Sequence, residues 1–321
     1  MGKENPEYAE INVLVIGCTP LARKVVSLVE SISNLVGVVN LHPEIGLGKS
    51  NYDYLADFTS RKKQDVHWTK DINSDETISW MKDRNPDVII QCGWSQIFNS
   101  DVLSVPNKYC IGIHPSPLPV GRGAAIINWK IIEAEEETIS WGNSLFVMEA
   151  KTDTGDVLDF EPFDIETRDD VRTAYLKVDN TALKMIARTL SKIADGTCVP
   201  QPQDPNKATR YFKRKPKDGI INRDWALDKI LNYVRALTHP YPGAFLETKY
   251  GKITIWSATQ GVPGFGTKPG TIVKIFKGKG VHMTVGDGWS IMLGSISTPD
   301  GLECWSDVWA SEVGLKEGDM L

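Results

Sequence analysis

The first half of the chain alternates short apolar runs with segments whose apolar positions recur at helical spacing. The run at 11–16 is almost wholly apolar, and a helical pattern follows over 21–31. Further strand-type runs lie at 34–40, 66–68, 87–91 and 109–113, with helical patterns at 51–63 and 74–83. Strands that alternate with helices in this way predict an α/β fold with a parallel, doubly wound sheet.

The pattern changes after residue 113. Strand-type runs at 141–148 and 157–165 precede a long helical pattern at 169–195. Residues 198–224 are rich in proline and in basic residues, which is typical of a linker. After a short helix at 226–237, the chain shows short β-type runs separated by glycine-containing turns, at 245–248, 252–258, 271–276, 281–285 and 289–296. This spacing predicts a small β-barrel, so we expect domains at 1–200 and 225–321, joined by a linker at 201–224.

Composition adds a few limits. The 321 residues are 41% hydrophobic and 24% charged, as in ordinary globular proteins, and no apolar run reaches the roughly 18 residues of a membrane helix. The five cysteines show no metal-type spacing, so we expect reduced thiols, a cytoplasmic location and no metal.

Charge is distributed unevenly along the chain. Residues 1–204 hold 20 Lys and Arg against 30 Asp and Glu, whereas residues 205–321 hold 16 against 11. The basic second half suits either an anionic partner or docking of oppositely charged halves.

A histidine and an aspartate follow two of the predicted strands. His114 ends the apolar run at 109–113, and a proline-rich turn leads from it to Gly121-Arg122-Gly123. Asp153 follows the second run, in an Asp-Thr-Gly-Asp turn that ends at Asp156. Open sheets bind ligands at the carboxyl ends of their strands, where such a pair suits proton transfer. A polar turn whose aspartate caps its own backbone is the alternative for Asp153 and Asp156.

The turn after the first strand argues against a dinucleotide. Gly17-Cys-Thr-Pro20 has one glycine, and Thr19-Pro20 occupies the stretch where a pyrophosphate needs a second. Trp94, which follows the fourth strand, lies by contrast at the same predicted edge as His114. We therefore expect the chemistry near His114 and not at an NAD site.

Taken together, these residues resemble the folate-dependent formyltransferases, which include methionyl-tRNA formyltransferase and the amino-sugar N-formyltransferases. That family has an Asn-x-His step, a Ser-Leu-Leu-Pro turn, an Arg-Gly step and an Asp-x-Gly turn. The matching stretches here are 112–114, 116–119, 122–123 and 153–155, and residues 234–245 look like the start of the family's C-terminal domain. The resemblance implies a Rossmann-like domain followed by an OB-like β-barrel, with N10-formyltetrahydrofolate as co-substrate and no metal.

The resemblance also implies roles for single residues. His114 would stabilise an oxyanion and move a proton, and Asp153 would hold the useful tautomer of His114. Gly112 stands at the position of the family's catalytic asparagine, and loss of one oxyanion donor costs about 10²–10³ in rate. Three explanations stay open. Ser95, Gln96 or Asn128 replaces the donor, the glycine makes room for a bulkier acceptor, or the protein binds folate and an amine without efficient transfer.

The remaining assignments concern binding. Arg122 either binds an anionic group or holds its turn. The residues expected to form the folate cleft are Trp94, Ser95, Ser116, Leu118, Pro119, Lys151, Thr152 and Asp156.

A nucleotide-linked amino sugar is the favoured acceptor. Asn128-Trp129 and the run at 48–55 resemble the amino-sugar branch, and the acidic first half disfavours tRNA, whose binding needs a basic surface. Methionyl-tRNA, a hydroxylated ornithine and a non-catalytic folate- or sugar-binding role are the alternatives. We expect no membrane partner and consider a homodimer.

Overall fold

The computed structural model describes residues 8–49, 51–55 and 65–321, which divide into two compact units. Unit 1 contains the chain up to Gly123, Ser140–Asp164 and Leu176–Tyr211. Unit 2 contains Ala124–Ile139, Ile165–Tyr175 and Phe212–Leu321. Two segments from within the expected first domain, 124–139 and 165–175, therefore group with the C-terminal part of the chain.

Unit 1 is built on a seven-stranded sheet in the order β3-β2-β1-β4-β5-β7-β8. The strands are β1 Tyr8–Gly17, β2 Ser33–Leu41, β3 Val66–Thr69, β4 Val88–Cys92, β5 Tyr109–His114, β7 Thr138–Val147 and β8 Val157–Glu166. The first five strands pair in parallel, as predicted. β7 pairs antiparallel with β5, so the sheet is mixed at that side. The short strand β6, Arg122–Gly123, pairs separately with β9, Arg210–Tyr211.

Helices cover both faces of the sheet, which explains why its strands are apolar on both sides. In β1, Val13 and Val15 pack into one core cluster, while Leu14 and Ile16 pack into the other. Ser74 caps its helix by accepting a hydrogen bond from the Thr77 amide. The helices are α1 Pro20–Ile32, α2 Pro43–Gly46, α3 Asp75–Lys82, α4 Ser100–Leu103, α5 Ile126–Ile132, α6 Val171–Ala194, α7 Leu227–Leu237 and α8 Ser306–Glu312, with 3₁₀ turns at Pro205–Lys207 and Pro216–Gly219.

One predicted helix is only partly covered. Of the pattern at 51–63, residues 51–55 form turns and not a helix, and residues 56–63 lie outside the described residues. None of the helices within the described ranges has both the length and the apolar character that crossing a bilayer requires.

Unit 2 contains two four-stranded antiparallel sheets, which agrees with the predicted small β domain. The strands are β10 Ala244–Thr248, β11 Gly251–Ile255, β12 Ala258–Pro263, β13 Ile272–Phe276, β14 Gly280–Thr284, β15 Trp289–Leu293, β16 Ser295–Ser297 and β17 Glu303–Trp305. The runs predicted at 252–258 and 289–296 are each broken, because the chain passes from one sheet to the other at 256–257 and at 294. Such corners let two small sheets share one core.

Candidate active site

His114 is the last residue of β5, and its ring is buried in unit 1. Its Nε2 lies 2.8 Å from the carbonyl oxygen of Gly121. A carbonyl oxygen can only accept, so Nε2 carries the hydrogen and the Nδ1 of the neutral ring carries a lone pair. The proline-rich turn after β5 therefore fixes the tautomer of His114.

Asp153 faces the other nitrogen of this ring. Its Oδ1 lies 3.7 Å from His114 Nδ1, which is too long for a hydrogen bond. Its Oδ2 accepts a hydrogen bond of 2.8 Å from the amide of Gly123. Asp153 has a φ of +62°, a region that aspartate tolerates better than most residues. The expected pair is thus formed, but the contact that fixes the tautomer comes from Gly121 and not from Asp153.

Burial dominates the electrostatics of His114. The low-polarity surroundings lower the pKa of the imidazole, while the nearby Asp153 carboxylate and the hydrogen bond to Gly121 partly oppose that shift. His114 is therefore neutral near pH 7 and offers Nδ1 as a proton acceptor. Asp153 stands where it can stabilise the imidazolium that proton uptake would produce.

The backbone of Gly123 links the turn after β5 to the Asp153 turn. Its φ of +107° suits glycine, and a Cβ atom there would come within 2.0 Å of the Tyr211 carbonyl oxygen. The close approach of β6 to β9 leaves the Gly123 amide pointing at Asp153. The Arg-Gly step seen in the sequence therefore has a backbone role in placing the carboxylate.

A glutamine that sequence reasoning missed ties Arg122 to the Asp153 turn. Gln203 Oε1 accepts two hydrogen bonds from the Arg122 guanidinium, of 3.2 and 2.7 Å. Gln203 Nε2 donates to the carbonyl oxygens of Asp153 and Gly155, at 3.1 and 2.6 Å. Arg122 is buried, and through Gln203 it is linked to the Asp153 turn. Gln203 lies in the predicted linker, and no spacing or motif marked it.

Gly112 lies in β5 opposite Phe146 of β7. A Cβ atom at Gly112 would come within 2.6 and 2.7 Å of the Phe146 ring and 3.1 Å of Met148 Cγ. The Phe146 ring also makes an edge contact with the His114 ring, with centroids 6.4 Å apart. The space beside Gly112 is thus filled by an aromatic ring that packs against the histidine.

The turn after His114 is ordered by Ser144 of β7. Ser144 Oγ donates to the Ser116 carbonyl oxygen at 2.7 Å and accepts from the Leu118 amide at 3.2 Å. Ser116 Oγ is buried and has no hydrogen-bond partner among the described residues. Pro119, like Leu118, is half-buried, whereas Lys151 and Thr152 are exposed and Asp156 is half-buried. Polar groups are therefore available on both loops of this edge.

The candidate replacement donors have other partners. Gln96 accepts from the Ile72 amide and the Trp94 indole and donates to the Lys70 carbonyl oxygen. Asn128, in unit 2, donates from Nδ2 to the Ala236 carbonyl oxygen at 2.7 Å. Ser95 is exposed, whereas the Trp94 indole is buried in the core. Their parts in donor replacement and folate binding stay predictions.

The loops that follow β1 and β4 present different groups from those near His114. A Cβ atom at Gly93 would come within 2.4 Å of the Thr19 side chain, and Cys18 Sγ donates to the Gly93 carbonyl oxygen at 3.2 Å. Burial raises the pKa of the Cys18 thiol to about 11 and raises that of Cys92 still further. These thiols are protonated near pH 7, so neither of them is a reactive thiolate at the ends of β1 and β4.

The chain matches known proteins along most of its length. Residues 12–190 match the formyl transferase family, and residues 213–312 match the formyl transferase C-terminal domain. Methionyl-tRNA formyltransferase of Caldanaerobacter subterraneus is 34% identical over 203 residues, 63% of this chain and 64% of that protein. The bifunctional polymyxin resistance protein ArnA of Wigglesworthia glossinidia brevipalpis is 31% identical over 222 residues, 67% of this chain and 33% of that protein.

Solved structures share the fold. HypX of Aquifex aeolicus, in complex with tetrahydrofolic acid, superposes with a TM-score of 0.67 at 18% identity, over 94% of this chain and 47% of HypX. An N-formyltransferase of Helicobacter canadensis, in complex with folinic acid and dTDP-3-aminofucose, gives a TM-score of 0.63 at 16% identity, over 88% of this chain and 98% of that one. The sequence matches and the shared fold lead to one conclusion: this chain belongs to the formyl transferase family.

Proposed function

We propose that this chain is a folate-dependent N-formyltransferase that moves a formyl group from N10-formyltetrahydrofolate to a primary amine. The observation that carries the proposal is the buried, neutral His114, whose Nδ1 faces Asp153 while its Nε2 donates to Gly121. Amine attack on a formyl carbon requires a proton acceptor, and a neutral imidazole next to a carboxylate is suited to that task.

The residues on both loops suit the folate. The half-buried turn at 117–119 and the exposed Lys151 and Thr152 offer polar groups beside apolar surface, as a pterin ring needs. The folate supplies the formyl group. His114 Nδ1 would accept the proton of the attacking amine and return it to N10 when the bond from N10 to the formyl carbon breaks and tetrahydrofolate leaves. Asp153 would stabilise the cationic ring in between, and Gly123 keeps the carboxylate in place.

A nucleotide-linked amino sugar is the proposed acceptor. The acidic first half of the chain and the Asn128-Trp129 pair support it, as does the shared fold with an enzyme solved with dTDP-3-aminofucose. The test is a formyl-transfer assay of the purified chain with N10-formyltetrahydrofolate and a panel of nucleotide amino sugars. Transfer to at least one of them is expected, and a protein that binds folate but formylates none would refute the assignment.

The 34% identity to a methionyl-tRNA formyltransferase favours methionyl-tRNA as a second candidate acceptor. Binding to tRNA releases counterions, so its affinity falls steeply as salt rises, whereas binding of a sugar diphosphate depends much less on salt. Titrations at 50 and 200 mM salt, with both acceptors in parallel, therefore separate the two.

A further inference from the structure

Unit 2 contains a cavity that involves none of the groups assigned above to proton transfer. Its volume is about 570 Å³, which is in the range of small-molecule sites. The lining residues that matter here are Trp129, Arg214, Asp218, Arg223, Trp225 and Tyr233, and all of them belong to this one unit. The cavity can therefore be analysed within unit 2 alone.

Aromatic rings form much of the wall. The rings of Trp225 and Tyr233 have centroids 4.7 Å apart at an angle of 49°. The Arg214 guanidinium lies 4.5 Å above the Trp129 ring and 5.5 Å from the Tyr233 ring. Flat aromatic ligands stack on such faces, and a guanidinium plane offers a further stacking surface.

The cavity is also positively charged. Arg214 and Arg223 donate hydrogen bonds to backbone carbonyl oxygens, of Asp218 and Glu247 respectively, and these acceptors are neutral. Arg223 Nε is buried and has no acceptor within the described part of the chain, which is a costly state for a donor. Two carboxylates oppose these cations: Asp218, whose Oδ2 accepts from the Lys215 amide at 2.7 Å, and Asp224, whose charge acts on Arg223. Lys229 Nζ adds a cation 4.3 Å from the Trp225 ring.

We propose that this cavity binds a nucleoside phosphate, with the base against the aromatic wall and the phosphate at Arg223. Guanidinium groups bind phosphate through paired hydrogen bonds, and aromatic faces accept any nucleobase. A cavity of this size with two arginines suits one nucleotide better than a polynucleotide, which needs a long basic track. The proposal goes beyond formyl transfer, because it concerns a site in unit 2 and no step of that reaction.

The test is a calorimetric titration of the full chain with uridine, thymidine, adenosine and guanosine monophosphates and diphosphates. Ribose 5-phosphate lacks the base and the free nucleosides lack the phosphate, so these probes test the two halves of the ligand separately. We expect saturable binding of at least one nucleotide and much weaker binding of both kinds of half-ligand. Arg223→Lys keeps the charge but loses the guanidinium fork, so it should weaken nucleotide binding about tenfold.

Two further variants keep the test decisive. Lys229→Gln removes an exposed cation beside Trp225 and should weaken binding of the phosphate only about threefold, since an exposed charge pair contributes little. Lys277→Gln removes an exposed cation elsewhere in unit 2 and should leave binding unchanged. Thermal unfolding midpoints of all variants, measured without ligand, show that each is folded.

Three results would overturn the proposal. They are no nucleotide binding by the folded wild type, equal binding of ribose 5-phosphate and nucleotide, and binding of an RNA that mononucleotides do not displace. Arg223→Lys separates this site from the acceptor site of the transfer reaction, because it should weaken nucleotide binding in the cavity while the KM of transfer for the nucleotide amino sugar stays unchanged. Failure of one proposal is therefore distinguishable from failure of the other.

Discussion

Two places along the sheet in unit 1 differ sharply in the side chains that they present. One lies at the carboxyl ends of β1 and β4, and the other lies at β5 and β7. At β1 and β4, the Gly93 backbone packs against Thr19, and the nearby thiols are buried with raised pKa values. At β5 and β7, His114 keeps one nitrogen without a proton and faces a carboxylate. The strand order reverses at β1, where doubly wound sheets usually bind ligands. Topology alone would therefore indicate a site between β1 and β4, whereas the site proposed above from the chemistry of the side chains lies at β5 and β7.

The largest effect should come from His114→Gln. Glutamine can still donate to Gly121 but cannot accept a proton, so kcat/KM for formyl transfer should fall about 10³-fold. Cys18→Ser is the control at the β1–β4 edge, and its rate should stay close to that of the wild type. Steady-state kinetics of both variants with the same acceptor measure the contrast. Similar losses in the two variants would remove the distinction between the edges.

Gly112→Asn tests whether the site has been rebuilt around Phe146. The new Cβ would collide with the Phe146 ring, so the free energy of unfolding should fall by about 1–3 kcal/mol, as in other overpacked cores. In the double variant Gly112→Asn/Phe146→Ala, the loss should be smaller than the sum of the single losses, because the two positions share one space. Denaturant titrations measure all three. Gly196→Asn, which meets no atom within 4 Å, is the control for a collision, and its φ of +68° is one that asparagine tolerates better than most residues.

The activity of the same double variant separates two explanations for the glycine. If Phe146 belongs to a rebuilt site, the double variant should transfer formyl no faster than the wild type. A large gain in rate would instead mean that the wild-type site is degenerate and that an amide at position 112 repairs it.

The sequence was sufficient for most of the sheet and for the ends of its strands. Apolar runs bounded by turns predicted β1 to β5, because strands buried on both faces leave a clear pattern. The antiparallel pairing of β7 was not predictable, since a strand's direction depends on where the chain returns and not on its own residues. His114 and Asp153 were visible at strand ends, but the role of Gly121 was not, because backbone carbonyls carry no sequence signal. Gln203 was hidden for a related reason: its partners are 48 to 81 residues away.

Gln203→Leu should have a smaller effect on the same edge. It removes the acceptor of Arg122 and the donor to the Asp153 turn, so the carboxylate should lose its fixed position. Transfer should slow about tenfold, as expected for the loss of a group that only positions another. Gln203→Glu keeps the acceptor but not the donor, so it isolates the link to Asp153. Gln201→Leu, at an exposed glutamine two residues away, is the matched control. Unaltered kinetics in Gln203→Leu would mean that the turn holds its shape without this bridge.

The smallest effect, and the most direct measure of the β5–β7 edge, is the pH dependence of stability. Burial lowers the pKa of His114 in the folded protein, whereas an unfolded histidine titrates near a pKa of about 6.5. The unfolded state therefore binds the proton first as pH falls, and the contribution of neutral His114 is present above pH ~6.5 and lost below it. Urea titrations between pH 8 and 5 should show the free energy of unfolding of the wild type falling relative to that of His114→Gln, by about 1.4 kcal/mol for each pKa unit of the shift. The comparison cancels the half-buried His67 and the buried His282, whose pKa values burial also lowers. A relative stability that rises toward pH 5 would mean that Asp153 outweighs burial and keeps His114 charged, which would remove the proton acceptor on which this edge depends.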